Sequence, residues 1–348
     1  MDVADFDFEL PESLIAQEPP AERGGSRLLV LDRATGAVSH TRFDAIGEHL
    51  RAGDLLVLND TKVFPSRLLG RRVPSGGAVE CLLLGRVGGD RWDALMHPGQ
   101  KLKPGARVAF ERGGVELQGE VLDRHFHGRR TVRLWVTGGG DVSAAIDAIG
   151  HVPLPPYIHR EDRPDDRDRY QTVYARERGS VAAPTAGLHF TAEILDGLAR
   201  RAIERTEITL HVGYGTFKPV RADRVEAHAV DADRFTVSAG AAAALTRALR
   251  ERRRIVAVGT TTVRTLESLN VDAEGAIRPV EGTTALFIYP GREFRIVSGM
   301  VTNFHLPRSS LLMLVAAFAG RERVLAAYRE AITHGYRFYS YGDAMLII

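Results

Sequence analysis

The sequence predicts an α/β domain with a mixed sheet, interrupted by a small inserted β-barrel domain. Three observations carry this. At both ends of the chain, short apolar runs that stop at polar loops alternate with helical patterns. From about residue 65 to 150, helical periodicity is scarce and short apolar runs alternate with Gly-rich turns. After a stiff proline-rich return, His151-Val152-Pro153-Leu154-Pro155-Pro156-Tyr157, the α/β pattern resumes. Residues 1–64 and 151–348 are therefore assigned to the α/β catalytic domain and 65–150 to the barrel, a division that suits a chain of 348 residues.

Taken in order, residues 26–32 and 54–59 are apolar runs bounded by turn residues, as buried strands require. The second ends in Asn59-Asp60-Thr61, polar side chains at the carboxyl end of a strand, where α/β sheets keep their sites. In the insert, runs at 79–84, 92–96, 107–110, 116–122 and 131–136 read as strands. Arg67, Arg71, Arg72, Arg124, Arg129, Arg130 and Arg133, the last four around His125, Phe126 and His127, suit either solvated strand faces or an RNA-contacting patch. In Val181-Ala182-Ala183-Pro184-Thr185-Ala186-Gly187-Leu188-His189-Phe190-Thr191, a small-residue loop presents one imidazole and Thr191 opens a helix. Strands at 208–210, 255–258, 286–289 and 300–301 run into His211, Gly259-Thr260-Thr261-Thr262, Pro290-Gly291 and Thr302-Asn303-Phe304-His305. Ser309-Ser310 caps an apolar helix after the last of these. The closing segment, 335–347, is aromatic-rich with one acid, Asp343.

Composition excludes several classes. With 44% hydrophobic and 26% charged residues the chain is an ordinary globular one, and a net charge of +2 announces no polyanion binder. Only four basic residues are lysines (Lys62, Lys101, Lys103, Lys218), the rest being arginine. Cys81 is the only cysteine, so an internal disulfide and any multi-cysteine metal or iron–sulfur site are excluded. No apolar run reaches membrane-spanning length and the acidic start is no signal peptide, so a cytoplasmic location is expected. Gly259-Thr260-Thr261-Thr262 lacks the Gly-Lys-Ser/Thr of a P-loop, but its N–H groups and hydroxyls suit an anion, with Arg264 adding a bidentate grip. Gly213-x-Gly215 lacks the remainder of a dinucleotide fingerprint. His189, His211 and His305 lie too far apart in sequence for the short-spaced pair a zinc site prefers, so acid–base or hydrogen-bonding roles suit them better than metal.

These segments, with Asp7-Phe8-Glu9-Leu10-Pro11, Ser26-Arg27-Leu28-Leu29-Val30-Leu31-Asp32, Leu58-Asn59-Asp60-Thr61-Lys62-Val63, Thr209-Leu210-His211-Val212-Gly213 and Tyr341-Gly342-Asp343-Ala344-Met345-Leu346-Ile347, fall in the order of a known family. The chain resembles the S-adenosylmethionine:tRNA ribosyltransferase-isomerases of queuosine biosynthesis, nearly end to end. The resemblance implies an α/β domain interrupted by a β-barrel. It also implies transfer and isomerisation of the ribosyl part of S-adenosylmethionine onto 7-aminomethyl-7-deazaguanine at a tRNA wobble position, giving epoxyqueuosine-tRNA and releasing adenine and methionine. S-adenosylmethionine is then a substrate, with no resident cofactor or metal, and the protein is a monomer or homodimer. Two stretches depart from the family pattern: Asp231 stands where a second histidine is expected after His228, and Ala285 where an acid is expected.

That chemistry needs a base for the C5′ proton beside the sulfonium, an acid for departing adenine, a neutral aminomethyl nucleophile and grips on methionine and RNA. His189, His211, His305 and Asn303 are the catalytic candidates. Asn59, Asp60, Arg67, Thr185, Thr216, Thr260, Thr262, Arg264, Tyr289, Phe304, Tyr341 and Asp343 are the substrate-binding candidates. An S-adenosylmethionine-dependent RNA methyltransferase and a non-catalytic RNA-binding protein are the alternatives. The first lacks its Gly-rich first loop, and the second leaves the polar strand ends without a purpose.

Overall fold

The computed structural model describes residues 1–348; the side chains of His127, named above with the basic loop, and of Phe217 lie outside the described residues. The first strands are β1 Arg27–Leu31, β2 Val38–Arg42, β3 Leu55–Asn59 and β4 Thr61–Val63. The insert supplies β5 Arg67–Val73, β6 Ala78–Gly88, β7 Arg91–His97, β8 Arg107–Arg112, β9 Val115–Arg124 and β10 Arg129–Val136. After it come β11 Glu177–Ser180, β12 Glu204–His211, β13 Asp233–Val237, β14 Ile255–Val258, β15 Val280–Thr284, β16 Gly299–Asn303 and β17 Ala344–Ile347.

Nine strands form one mixed sheet in the order β15-β13-β12-β3-β14-β16-β17-β1-β2. Its centre, β12-β3-β14-β16, is parallel. β3, β14 and β16 are buried along their whole length, which is why they read as continuous apolar runs rather than alternating ones. Strand period sorts their residues onto two cores. Leu29, Leu55, Val57, Ile208 and Ala257 pack with α4 Ala239–Arg250, α5 Thr260–Ser268, α6 Ser310–Ala319 and α7 Arg321–Thr333. Leu28, Leu56, Leu58, Val256 and Val301 pack on the other face with Phe43, Phe190 and α3 Ala192–Arg200.

The insert closes into a six-stranded antiparallel barrel, β10-β7-β6-β5-β8-β9. Helix α1 Val142–Ile149 plugs it with Ala145, Ile146 and Ile149, and the one-turn α2 Asp166–Arg169 follows the return segment. The insert's first and last segments clasp each other, Arg67 exchanging two main-chain hydrogen bonds with His151 at 3.3 and 2.8 Å. Cys81 lies in the barrel core, where burial pushes its thiol up to about 12.

One expectation needs correction, and one strand, β5 Arg67–Val73, which buries Leu68 in the barrel core, lies where the sequence pattern marks none. The strand near residues 286–289 is instead β15 Val280–Thr284. The chain leaves the sheet at Thr284 because Arg264 takes the Thr284 and Leu286 carbonyls, at 3.2 and 3.0 Å. The basic patch on the barrel is largely neutralised. Arg67 pairs with Glu80 at 2.8 Å, Arg133 with Glu120 at 2.7 Å, Arg71 with Glu111 at 3.8 Å, and Arg129 with Asp93. Arg130 is buried, donating to the carbonyls of Leu102 and Gly99.

Candidate active site

The parallel strands end on one sheet edge, and there a cleft of about 540 Å³ opens between the 182–186 loop, the start of α5, residues 302–305 and Tyr339-Ser340. Thr185, Thr216, Thr260, Asn303 and His305 line it, so most of the polar junctions do converge. Tyr157, from the proline-rich return, and Tyr339 add an aromatic wall, their rings edge-on with centroids 3.8 Å apart. No Asp, Glu, Lys or Arg lines the cleft among the described residues. Its polarity comes from hydroxyls, one amide, one imidazole and main-chain dipoles.

The main dipole is that of α5. Thr191, Ser238 and Ser309 cap α3, α4 and α6 with their own hydroxyls, whereas α5 begins at Gly259, which has no side chain to offer and a φ of +91° that favours glycine. The first-turn N–H groups of α5 are left for another acceptor, with the positive end of the helix behind them. Thr261 lines the cleft at 6% exposure and its buried hydroxyl has no hydrogen-bond partner among the described residues. Thr262 does not join it. One residue further round the helix, it turns its hydroxyl back to the Val258 carbonyl at 2.6 Å. Arg264 is turned away as well, buried in an ion pair with Asp233 at 2.8 Å. Burial raises the Asp233 carboxyl despite that partner.

The three histidines have three environments. His305 lines the cleft, with Nε2 at 2.8 Å from the Thr302 hydroxyl, and burial pushes it down to about 3. His189 sits behind the cleft rather than in it. Its Nδ1 is 2.7 Å from the Ser26 hydroxyl, its Nε2 is 3.1 Å from Asn303 Nδ2, and burial pushes it down to about 4. His211 lies outside the cleft, against the parallel pair β4–β11, with Nδ1 at 2.9 Å from the Thr61 hydroxyl; burial lowers it too.

The other candidates hold the frame around the site. Asn59 splices β3 to β12, its amide accepting from Leu210 N–H at 2.9 Å and donating to the Leu210 carbonyl at 3.0 Å. Asp60 is buried between the Thr209 hydroxyl and Arg176, both at 2.6 Å, and burial raises its carboxyl. Phe304 is fully buried against Tyr328, Tyr336 and Phe338, and Tyr289 packs on Phe287. Asp343 is buried, accepting from the backbone N–H groups of Arg27 and Arg337 at 2.8 Å each and pairing with the Arg27 guanidinium. Gly213 and Gly215 mark a close approach rather than a nucleotide loop, since a Cβ on Gly215 would stand 2.6 Å from Asp231 Oδ2. The one metal-type cluster among the described residues, His40, Glu330 and His334, borders neither the cleft nor its neighbour.

That neighbour is a second cavity of about 300 Å³, lined by Arg23, Arg169, His189, Ser340 and Tyr341. Arg23 donates to the carbonyls of Gln171 and Asp168 at 2.7 Å each, and Arg169 to those of Ala21 and Pro20. Neither forms an ion pair among the described residues; burial and the nearby Arg169 charge lower the Arg23 guanidinium. From the sequence alone no role falls to Arg23, Arg169, Tyr157 or Ser26, which long-range packing brings to the two cavities, whereas Thr261 belongs to its Gly-Thr-Thr-Thr anion site.

A family model described as "Queuosine biosynthesis protein" matches residues 3–347. The S-adenosylmethionine:tRNA ribosyltransferase-isomerases of Heliobacterium modesticaldum and Symbiobacterium thermophilum are 51% and 50% identical over 348 residues, all of this chain and of each relative. The crystal structure of the S-adenosylmethionine tRNA ribosyltransferase of Thermotoga maritima is similar at 38% identity and a TM-score of 0.56, covering 99% of this chain and 100% of that one. With an uncharged cleft at the sheet edge, a closed barrel inserted between β4 and β11, and these matches over its full length, the chain belongs to the queuosine biosynthesis protein family.

Proposed function

We propose that this protein transfers and isomerises the ribosyl part of S-adenosylmethionine onto 7-aminomethyl-7-deazaguanine at a tRNA wobble position, giving epoxyqueuosine-tRNA, adenine and methionine. The observation that carries the reading is the cleft itself. It contains no charged side chain, yet offers an uncapped helix start, an unpartnered hydroxyl on Thr261, an unpartnered amide oxygen on Asn303 and an aromatic wall. The methionine carboxylate fits the first-turn N–H groups of α5 and the Thr261 hydroxyl. The Tyr157 and Tyr339 rings suit the sulfonium, a cation that meets no competing guanidinium there.

His305 is the imidazole placed to take a proton, since it alone of the three histidines lines the cleft. Burial keeps its ring in the neutral form, which has a lone pair to offer, and the same burial makes it a weak base. Thr185 and Thr216 are left to hold ribose or base. The second cavity suits a phosphate of the anticodon strand, because Arg23 and Arg169 line it and hydrogen-bond only main-chain carbonyls among the described residues.

A methyltransferase would use the same sulfonium but release S-adenosylhomocysteine, and a binding protein would release nothing. Incubation with adenine-labelled S-adenosylmethionine and tRNA carrying the aminomethyl base is the test. Free adenine in amounts equal to modified tRNA is expected; S-adenosylhomocysteine, or no product, overturns the reading.

A further inference from the structure

We propose that Asn303 presents its amide oxygen to a hydrogen-bond donor of the substrate, a hydroxyl or an amine, and that Ser26 and His189 are positioning residues that hold the amide in that single orientation. The proposal deepens the reading of the cleft given above and rests on it.

Asn303 ends β16, is 2% exposed and lines the cleft. Its Nδ2 lies 3.0 Å from the Tyr339 carbonyl oxygen and 3.1 Å from His189 Nε2. A carbonyl can only accept, so the NH2 end of the amide must face Tyr339, which fixes the flip. The second amide hydrogen then goes to His189 Nε2, which must carry a lone pair. A neutral imidazole with its lone pair on Nε2 has its proton on Nδ1, and that N–H donates to the Ser26 hydroxyl at 2.7 Å. The chain Asn303 to His189 to Ser26 thus runs in one direction, and both hydrogens of Asn303 are used. What remains is Oδ1, buried and without a partner among the described residues. An unpaired buried amide oxygen is costly enough to ask for a partner, and the cleft is where a ligand can supply one.

The surroundings are built to hold this arrangement. Tyr339 has a φ of +75°, uncommon for a bulky residue, and that twist belongs to the turn that directs its carbonyl at Asn303. The turn is held by Tyr339 N–H to the Phe304 carbonyl and Gly342 N–H to the Tyr339 carbonyl, both at 3.0 Å. Only glycine fits at 342, because a Cβ there would stand 2.4 Å from the Arg337 carbonyl oxygen. His189 stacks on Phe43 with ring centroids 5.1 Å apart. The charged groups that act on it are Asp343, Arg337 and Arg23. Protonating His189 would set an N–H against the Asn303 NH2 and break the chain, so His189 is not the proton-transfer group.

Three measurements on the full-length protein test this. Asn303→Ala should lower kcat/KM for S-adenosylmethionine at least 100-fold while the protein still melts in one cooperative transition. If the donor is a ribose hydroxyl, S-adenosylmethionine affinity without tRNA falls at least 10-fold; if it is the aminomethyl group, that affinity holds and the loss appears in kcat or in KM for tRNA. Retention of all constants within threefold overturns the proposal. His189→Gln, which keeps an acceptor for Asn303, should retain at least tenfold more activity than His189→Ala; equal activities overturn the positioning role. Nitrogen NMR of His189 should show the neutral Nδ1–H form from pH 8 down to about pH 5. An Nε2–H form, or titration near pH 6.5, overturns it even if the wild-type protein releases no adenine.

Discussion

The two cavities share Ser340 and are divided by one hydrogen-bonded pair, Asn303 lining the larger and His189 the smaller, yet they differ completely in charge. The larger has no ionised side chain; the smaller has two guanidiniums bonded only to main-chain carbonyls among the described residues. A sulfonium substrate that is itself charged is best held by dipoles, which need no counter-ion and leave its reacting centre unquenched. A phosphate is best held by arginine. The division teaches that substrate sorting in this fold rests on where arginines are absent as much as on where they stand.

The sharpest way to break that comparison is to charge the neutral side. Thr261→Asp places a carboxylate at the first turn of α5, where the uncapped N–H groups offset part of its desolvation, so the protein should still fold, as a melting curve checks. KM for S-adenosylmethionine should nonetheless rise at least 100-fold, about 3 kcal/mol by the usual conversion, measured in the adenine-release assay.

The neutrality of the dividing wall has a pH signature. His189 and His305 are pushed down by burial from 6.5 to about 4 and about 3, so below pH 6.5 the unfolded chain takes up protons that the folded chain refuses. Stability from these two groups is complete above pH 6.5, falls progressively as pH drops from 6.5 towards the folded values, and falls no further below them. Between pH 6.5 and 5 each costs about 2 kcal/mol, and urea unfolding of His189→Gln should show a shallower decline than wild type over that range.

The charged side is tested by Arg23→Ala and Arg169→Ala. Each should raise KM for tRNA about tenfold and reduce the slope of log KM against log salt by about 1, leaving KM for S-adenosylmethionine unchanged. The smallest effect belongs to the barrel. Arg133 and Arg71 are paired with Glu120 and Glu111, so Arg133→Ala and Arg71→Ala should each change KM for tRNA by less than about threefold.

Much of the architecture was legible because it is written locally. Continuous apolar runs bounded by turn residues made β1 and β3 visible, Gly-rich turns between short strands announced the barrel, and Thr191 and Ser309 marked helix starts that they do cap. The site was legible only in part. Thr216, Thr260, Asn303 and His305 reach the cleft because each stands at or just after the carboxyl end of a strand, a position that pattern reading finds, and Thr185 reaches it from the small-residue loop before α3. Arg264, Thr262, Phe304 and Asp343 look equally available in sequence but are taken up by Asp233, Val258, an aromatic core and Arg27.

By itself, then, the sequence determined the order of elements, the interruption of an α/β sheet by a barrel, and which loops carry polar groups, since periodicity, turn residues and strand-end chemistry act over a few neighbours. Only the tertiary structure decided which of those groups keep a free valence. Ser26, His189 and Asn303 are brought within hydrogen-bond distance across separations of 163 and 114 residues. Whether a polar atom is spent or left for a substrate depends on all its neighbours at once, and the fold assembles them.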